Sequence, residues 1–277
     1  MTAAVNPLFQ RLSLLTGAGA LGALEKTRVI VFGLGGVGGW CAEALVRSGV
    51  GRLGIIDSDT VCVTNINRQI QATGRTVGLP KAETLKARLL EINPRCGIDA
   101  REAVFSRETA SRFGIEEADY VIDAIDSLTH KLDLIEYTAK AAERNGGGKA
   151  RPLLYSSMGM AQKLDPTRLR TADIWDTTGC PLARLVRQGL RKRSFEGHFT
   201  AVYSEERLPL HDEIPLPCGS TQCLCPPRNR NDPGAPVEWC GSKKVINGSA
   251  VTVTAAAGMI LASLVIRDVC TGGEFRG

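Results

Sequence analysis

A glycine-rich turn and an aspartate that follows it could together bind a nucleotide. The turn is Gly33-Leu-Gly-Gly-Val-Gly38, between an apolar run and a helical pattern. Small residues at such a place let backbone amides approach a phosphate, and four glycines are candidates: Gly33, Gly35, Gly36 and Gly38. Asp57 follows at the distance expected of a carboxylate that binds ribose hydroxyls. These features alone fit a dinucleotide-dependent oxidoreductase equally well.

The residues beyond Asp57 favour a triphosphate. The segment Asn65-Ile-Asn-Arg-Gln69 brings Arg68 to the rim of the phosphate site, and Lys81 begins the next helix. Two such cations are surplus for a diphosphate. They suit ATP, because the negative charge that builds up on a departing pyrophosphate needs counter-charge. Polar side chains in the same stretch are further candidate nucleotide contacts: Asp59, Asn65, Asn67 and Gln69.

Two aspartates at the end of a predicted strand, Asp123 and Asp126, are candidate ligands for the Mg²⁺ that bridges ATP phosphates. Taken singly, Arg68 and Lys81 could each be a solvated charge at a helix end. Together with the glycines and the aspartates, they indicate an ATP site at which the phosphates react.

The elements that must position these residues alternate between strand and helix. Runs rich in Val, Ile and Leu predict strands at 28–32, 52–56, 98–104, 118–122, 152–156, 169–173 and 199–203. Patterns with helical spacing predict helices at 8–24, 37–48, 81–92, 128–143 and 181–193. This order predicts an α/β fold: a Rossmann-like, doubly wound and mostly parallel sheet with ligands at the carboxyl ends of its strands.

Length and composition fit one large domain. The chain has 277 residues, 43% of them hydrophobic and 23% charged, which is ordinary for a globular protein. We expect residues 1–150 to form a nucleotide-binding half and residues 151–277 to form a substrate-binding half. The net charge of +5 permits a polyanionic partner such as RNA without establishing one.

Nine cysteines, with no secretory signal ahead of them, predict a reducing cytoplasm rather than a disulfide framework. Four of them lie in an irregular stretch rich in Cys and Pro, 208–242: Cys218, Cys223, Cys225 and Cys240. Because they do not form two Cys-x-x-Cys pairs, we expect free cysteines there rather than zinc.

The C-terminal region contains an uncharged stretch, 245–266, that is long enough to span a bilayer. Polar and small residues dilute it, so a buried helix explains the stretch as well. We expect a buried apolar helix, with a membrane span and peripheral membrane contact through 245–270 as the alternatives.

These motifs resemble the ubiquitin-activating-type adenylating superfamily, and within it the bacterial tRNA threonylcarbamoyladenosine dehydratases. The Asn-Arg-Gln segment at 67–69 carries the resemblance to the superfamily. Two further motifs carry the resemblance to the dehydratases: Ser156-Ser-Met-Gly159 and Lys163-Leu-Asp-Pro-Thr167. The segments Asp123-Ala-Ile-Asp-Ser127 and Cys180-Pro-Leu-Ala-Arg184 also agree, so the resemblance covers most of the chain.

The resemblance implies a role for each matching residue. Asp57 would bind the ribose, and Arg68 and Lys81 would contact the phosphates with Gln69 nearby. Asp126 would hold Mg²⁺ and orient the α-phosphate. Arg11 would reach from a partner subunit into this site, because these enzymes are typically homodimers.

The activity that the resemblance implies is the ATP-dependent closure of a ring. Its substrate is the threonylcarbamoyl group on an adenosine next to the anticodon of tRNA. The threonine carboxylate would be adenylated, and the neighbouring carbamoyl group would then displace AMP. A monovalent cation is a further candidate ligand, and a cysteine-desulfurase/sulfur-acceptor system is a further candidate partner.

A tRNA substrate must be held by cations, and the predicted helix at 181–193 offers five: Arg184, Arg187, Arg191, Lys192 and Arg193. We expect this basic face to contact the phosphate backbone, against the alternative of a merely solvated face. At the start of the same helix, Cys180 could be a thioester nucleophile, but a packed cysteine is the preferred interpretation.

Three alternatives to the dehydratase remain. A non-catalytic scaffold with a vestigial nucleotide fold is opposed by a phosphate site in which no position is lost. An enzyme that adenylates the C-terminal carboxylate of a ubiquitin-like sulfur carrier would use the same ATP site, but the missing zinc pairs and the basic helix oppose it. An NAD-dependent oxidoreductase would leave Arg68, Gln69 and Lys81 unexplained.

Overall fold

The computed structural model describes residues 6–146, 151–209 and 247–272. A seven-stranded sheet runs through both halves of the chain, with the strand order β3-β2-β1-β4-β5-β7-β6. Its strands are β1 (Arg28–Phe32), β2 (Arg52–Ile56), β3 (Gly97–Arg101), β4 (Tyr120–Asp123), β5 (Leu153–Ser157), β6 (Leu169–Asp173) and β7 (Thr200–Ser204). Every pairing is parallel except that of β6 with β7. The predicted α/β fold with a mostly parallel sheet is therefore confirmed.

Helices cover both faces of the sheet. They are α1 (Gln10–Thr16), α2 (Ala18–Lys26), α3 (Gly38–Arg47), α4 (Lys81–Ile92), α5 (Leu128–Arg144), α6 (Pro181–Lys192) and α7 (Val251–Cys270). One core cluster joins the sheet to α2, α3, α4 and α7, and a second joins it to α5 and α6. This two-sided cover explains why the central strands are apolar in almost every position.

The order of the strands places the ligand site. The chain leaves β1 toward β2 on one side and reaches β4 on the other, so the connections diverge between β1 and β4. Open parallel sheets bind ligands in the crevice at such a point, beyond the carboxyl ends of the strands. The turn at 33–38 follows β1, Asp57 follows β2, and Asp126 follows β4. All three therefore lie at the same edge of the sheet.

The expected helix over 8–24 is divided in the structure. Helix α1 ends at Thr16 and α2 begins at Ala18, because Gly17 between them has a φ of 85° that ends the helical hydrogen bonding. The strand expected at 98–104 is also shorter, ending at Arg101. The other predicted strands and helices agree with the structure to within one or two residues at each end.

Helix α7 packs against α3 and α2, and its buried residues include Ala257 and Leu261. A Cβ on Gly258 would come within 2.5 Å of the Val37 carbonyl, so the two helices cross at the closest distance that glycine allows. Within the described part of the chain, α7 alone is long and apolar enough to cross a membrane. Of the most apolar 18-residue window of α7, 44% is buried inside the protein. Peripheral membrane contact stays a prediction.

Candidate active site

The glycine turn after β1 has no room for a side chain at Gly33 or Gly38. Gly33 has a φ of 85°, and a Cβ there would lie 2.6 Å from the Ala124 carbonyl oxygen. A Cβ on Gly38 would collide with the Gly33 carbonyl at 1.8 Å. Gly36 faces the Arg68 side chain, whose Cγ would lie 3.2 Å from a Cβ at that position. The turn is thus a tightly packed cradle of backbone with the predicted arginine beside Gly36.

Asp57 is held in place by backbone amides. Its carboxylate accepts hydrogen bonds from the Leu34 amide at 2.6 Å and from the Asp59 amide at 2.8 Å. The first of these bonds ties the ribose candidate directly to the glycine turn. The side chain of Asp57 is 9% exposed, and burial raises its pKa while the Lys81 ammonium opposes that shift.

Lys81 lies between two carboxylates. Its ammonium is 2.6 Å from the Asp59 carboxylate and 3.9 Å from the Asp57 carboxylate. Burial alone would lower the pKa of Lys81. The charges of Asp57 and Asp59 outweigh it, so the pKa is raised, and Asp126 acts in the same direction. The lysine is therefore a fixed positive charge at neutral pH.

Arg68 lies beside Gly36 at the rim of the cradle, within the influence of the Asp126 charge. The Arg68 guanidinium donates to the Thr64 carbonyl at 2.8 Å and to the Asn67 side chain at 3.0 Å. Burial lowers the pKa of Arg68, and the charges of Cys62 and Asp126 oppose that shift. Asp126 itself is exposed. An exposed carboxylate close to two cations beside a glycine cradle is suited to a metal–polyphosphate ligand.

The remaining polar candidates of the 65–69 segment shape the site. Asn65 is buried, and its side chain accepts from the Cys62 amide to cap the turn at Val63–Asn65. The Asn67 amide donates to the Ser249 carbonyl at 2.9 Å, which joins the segment to the chain just before α7. Gln69 is buried close to Gly35. Of these three, Gln69 is the one that the structure places against the cradle.

The side chain of Asp123 is engaged in the protein core, although the sequence suggested a nucleotide contact. It is fully buried, and its carboxylate accepts from Lys131 at 2.7 Å and from Ser156 at 2.6 Å. Its side chain faces Lys131 on α5, which packs against the sheet, whereas Asp126 lies three residues further along the turn. This burial removes Asp123 from the residues that we propose to contact ATP.

Some cations of the predicted basic helix contact residues of other elements, and others are exposed. Arg187 donates to the Thr177 carbonyl at 2.7 Å, and Arg193 pairs with Asp133 and Glu136 at 2.8 Å. Arg191 lies 5.5 Å from the ring centre of Trp175. A helical pattern could not show these partners, because they come from other elements. Three cations of α6 are exposed, Arg184, Arg191 and Lys192, and of these Arg191 also lies near the Trp175 ring.

The start of α6 packs against the end of β5. Cys180 is 2% exposed, and its Sγ would lie 3.7 Å from a Cβ on Gly159. This placement agrees with the preferred interpretation of a packed cysteine. The cysteines considered for zinc lie outside the described residues.

Arg11 is exposed on α1, beside an unusually apolar surface. Leu14 and Leu15 on the same helix are 83% and 82% exposed. Within this chain, the structure does not bring Arg11 to the glycine cradle.

Three residues that the sequence analysis did not single out support the site. The Trp40 indole donates to the Arg68 carbonyl at 3.1 Å, and the Gln71 amide donates to the Leu34 carbonyl at 2.6 Å. These bonds fix the arginine segment to α3 and to the glycine turn. Lys131 is the third, and its position among Leu134, Ile135 and Thr138 was a readable signal, because a lysine on the buried face of a helix needs a partner.

A cavity of about 290 Å³ lies over β1, β2 and β3, and none of the candidate nucleotide-binding residues lines it. Its lining includes Arg28, Arg52, Arg101 and Phe113. The nucleotide candidates instead follow the carboxyl ends of β1, β2 and β4.

Fold and site together define an adenylate-forming α/β enzyme, and comparison with known proteins gives the family. A model of the ThiF family matches residues 9–271, so the chain belongs to the ThiF family. Within that family it is similar to the tRNA threonylcarbamoyladenosine dehydratase of Bacillus subtilis (strain 168), with 42% identity over 198 residues, 72% of this chain and 74% of the relative. The enzyme of the same name from Escherichia coli (strain K12) is 38% identical over 177 residues, 64% and 63% of the two chains.

A solved structure resembles nearly the whole chain. It is E. coli tRNA N6-threonylcarbamoyladenosine dehydratase, TcdA, in complex with ATP, with a TM-score of 0.74 and 29% identity over 97% of this chain and 96% of that one. The likeness confirms the predicted adenylation fold and extends into the half of the chain that carries β5, β6, β7 and α6.

Proposed function

We propose that this protein closes the threonylcarbamoyl group of N6-threonylcarbamoyladenosine, next to the anticodon of tRNA, into a ring at the expense of ATP. The observation that carries the proposal is the convergence of Arg68, Lys81 and Asp126 beside the glycine cradle. Likeness to dehydratases across both halves of the chain supports the tRNA substrate.

In the first step, an oxygen of the threonine carboxylate attacks the α-phosphorus of ATP, and pyrophosphate leaves. Asp57 would hold the ribose, and the cradle amides would hold the phosphates. Arg68 and Lys81 would neutralise the charge that develops on the departing pyrophosphate. Lys81 suits this role because its carboxylate partners keep it protonated.

In the second step, the carbamoyl group attacks the acyl carbon of the mixed anhydride, and AMP leaves. The ring closes, and the proton of the attacking group is lost to solvent or a base. The nucleoside therefore loses one water overall, and the oxygen of that water departs in AMP. Because both reacting groups belong to one substituent, proximity supplies much of the rate.

Magnesium is part of this proposal. In the described ranges, no group of three or more His, Cys, Asp or Glu side chains is arranged to hold a metal ion. The exposed Asp126 carboxylate fits an ion whose other ligands are phosphate oxygens and water. Bound Mg²⁺ would supply positive charge to the phosphates.

An isotope experiment tests the reaction. Modified tRNA carrying ¹⁸O in the threonine carboxylate is incubated with enzyme, ATP and Mg²⁺, and the products are weighed by mass spectrometry. We expect a nucleoside lighter by one water and AMP that carries one ¹⁸O. Unlabelled AMP beside a cyclised product would exclude the acyl-adenylate route.

The competing function is activation of a ubiquitin-like sulfur carrier. Exchange of labelled pyrophosphate into ATP separates the two, because exchange requires the correct carboxylate. We expect stimulation by threonylcarbamoylated tRNA and none by a carrier protein with a C-terminal carboxylate. The reverse result would replace the proposed substrate.

We also propose that two chains share each site. The exposed Leu14 and Leu15 give α1 an apolar surface suited to a second copy, and Arg11 on the same helix would then enter the partner's site. A mixture of Arg11→Ala and Arg68→Ala chains tests this, since mixed dimers contain one intact site. Activity should return to about a quarter of the wild-type value after subunit exchange. Mixtures without recovery would exclude a shared site.

The monovalent cation, the cytoplasmic location, the sulfur-system partner and the membrane contact stay predictions.

A further inference from the structure

Lys131 forms a buried ionic network at the carboxyl ends of two strands. Its ammonium is 0% exposed and donates to the Asp123 carboxylate at 2.7 Å, to the Ser156 hydroxyl at 3.3 Å and to the Ser157 carbonyl at 3.0 Å. The Ser156 hydroxyl donates in turn to the same Asp123 oxygen at 2.6 Å. One residue comes from α5, one from the end of β4 and two from the end of β5.

Stability alone is a weak reason for such a pair. Removing both charges from water is expensive, and apolar residues of similar volume often serve a core equally well. The apolar cluster around α5 shows that this helix could pack against the sheet without the pair. A buried ion pair with good geometry instead fixes one arrangement of the elements that carry it.

The elements joined by the network lead into the active site. The second Asp123 oxygen accepts from the Ile125 amide at 3.1 Å, which bends the chain at the start of the Asp126 turn (residues 124–127). This turn touches the cradle, because the Ala124 carbonyl lies against Gly33. Asp126 belongs to the same turn, and its negative charge acts to raise the pKa of both Arg68 and Lys81.

The other end of the network carries the motif that distinguishes the dehydratases. Ser156 and Ser157 begin the segment that runs to Gly159, at the start of α6. The same lysine therefore contacts the strand end that leads to the proposed ATP site and the strand end that leads to the proposed substrate side.

We infer that Lys131, Asp123 and Ser156 are positioning residues that hold the Asp126 turn against the glycine cradle and in register with the 156–159 segment. This inference rests on the proposed adenylation. None of the three touches ATP. They act through Asp126, which must meet the phosphates in one geometry while a carboxylate attacks from the substrate side.

The deciding variant is Ser156→Ala, which removes one hydroxyl and leaves the ion pair in place. Lys131→Met is the stronger variant, but it leaves a buried carboxylate without its cation and endangers folding. Tyr120→Phe is the matched control. It also removes a buried hydroxyl that donates to a carboxylate, that of Asp268, and it lies at the opposite end of the same strand, β4.

Three measurements are made on the full chain: thermal unfolding, steady-state kinetics with modified tRNA, and hydrogen exchange of the amides at 124–127. For Ser156→Ala we expect kcat to fall about tenfold while the ATP dissociation constant changes far less, because a small displacement of a reacting group costs mainly rate. The amides at 124–127 should exchange faster. Tyr120→Phe should lose stability and keep both the wild-type kcat and the wild-type exchange at 124–127.

Two outcomes separate this inference from the function on which it rests. A wild-type chain that does not dehydrate modified tRNA removes the proposed function and the positioning role together. Wild-type turnover beside an unchanged kcat in Ser156→Ala, whatever its stability, removes only the positioning role.

Discussion

At the amino edge of the sheet, buried and half-buried polar groups are satisfied by one another. Tyr120 donates to Asp268, and Arg151 lies 4.3 Å from the centre of the Tyr120 ring while it donates to the same aspartate at 3.3 Å. The backbone amide of Arg28 donates to Asp119 at 2.9 Å. The interactions close on themselves and join β1, β4, β5 and α7.

At the carboxyl edge, charged groups gather beside the glycine turn. Glycines replace side chains at the cradle, Asp126 is exposed, and Arg68 and Lys81 stand beside it. Near this turn, the polar groups of the Lys131 network are hydrogen-bonded to one another, as those at the amino edge are. The difference shows how the two edges of one sheet can serve different purposes. The amino edge is closed by contacts among its own polar groups, whereas the carboxyl edge carries the glycine turn and its charged neighbours, supported by the Lys131 network.

The largest expected difference between the two edges is in Arg68→Ala against Arg52→Ala. Each variant removes one arginine. Arg68 lies in the loop that follows the carboxyl end of β2, whereas Arg52 is exposed at the amino end of β2. We expect kcat/KM to fall about 10²–10³-fold for Arg68→Ala, because a charge that stabilises the departing pyrophosphate is lost. Arg52→Ala should retain wild-type kinetics. Equal losses in the two variants would contradict the comparison.

A second prediction concerns α6, where exposed and committed cations occur on one helix. The double variant Arg184→Ala, Lys192→Ala should weaken tRNA binding about tenfold at moderate salt and reduce its salt dependence, because fewer counterions are released. ATP binding should not change. Arg187→Ala should instead lower the free energy of unfolding, because the bond to the Thr177 carbonyl is lost. A double variant with the wild-type salt slope would exclude Arg184 and Lys192 as tRNA contacts.

The smallest expected effect is at Glu43 on α3, which pairs with Arg88 on α4. Burial acts to raise the pKa of Glu43, but its hydrogen bonds with Arg88 and Arg47 outweigh burial, so the pKa falls below the ordinary value of 4.5. A lowered pKa stabilises the folded state above the unfolded pKa, and this contribution is lost as the pH falls through the folded value. Glu43→Gln should therefore cost about 1 kcal/mol at neutral pH and little in strong acid.

Urea unfolding of both proteins across the acidic range measures this effect, with turnover at neutral pH as the control. The ion cluster is remote from the cradle, so we expect the wild-type kcat. A stability difference that persists unchanged below the folded pKa would show that the charge of Glu43 is not its cause.

Much of the fold could be read from the chain because its signals are local. Runs rich in Val, Ile and Leu predicted β1 and β2, and helical spacing predicted α4. The nucleotide site was also readable, because its residues follow strand ends whose positions were predicted. Gly17 shows the limit: its φ of 85° depends on how α1 leaves the body of the protein.

The partners of charged side chains were not readable in this way. Asp123 and Asp126 are three residues apart and chemically identical, yet one is fully buried on Lys131 and the other is exposed beside Arg68. Arg187 and Lys192 likewise share one helix, and Thr177 secures only the first of them.

The chain by itself determined the alternation of strands and helices, the glycine cradle and the types of side chain near it, because periodicity and strand ends are properties of neighbouring residues. The tertiary structure decided which aspartate faces the phosphates, which arginines remain open to RNA, and that Lys131 joins two strand ends. Those outcomes depend on desolvation and on contacts between residues far apart in the chain, and no short stretch of sequence contains them.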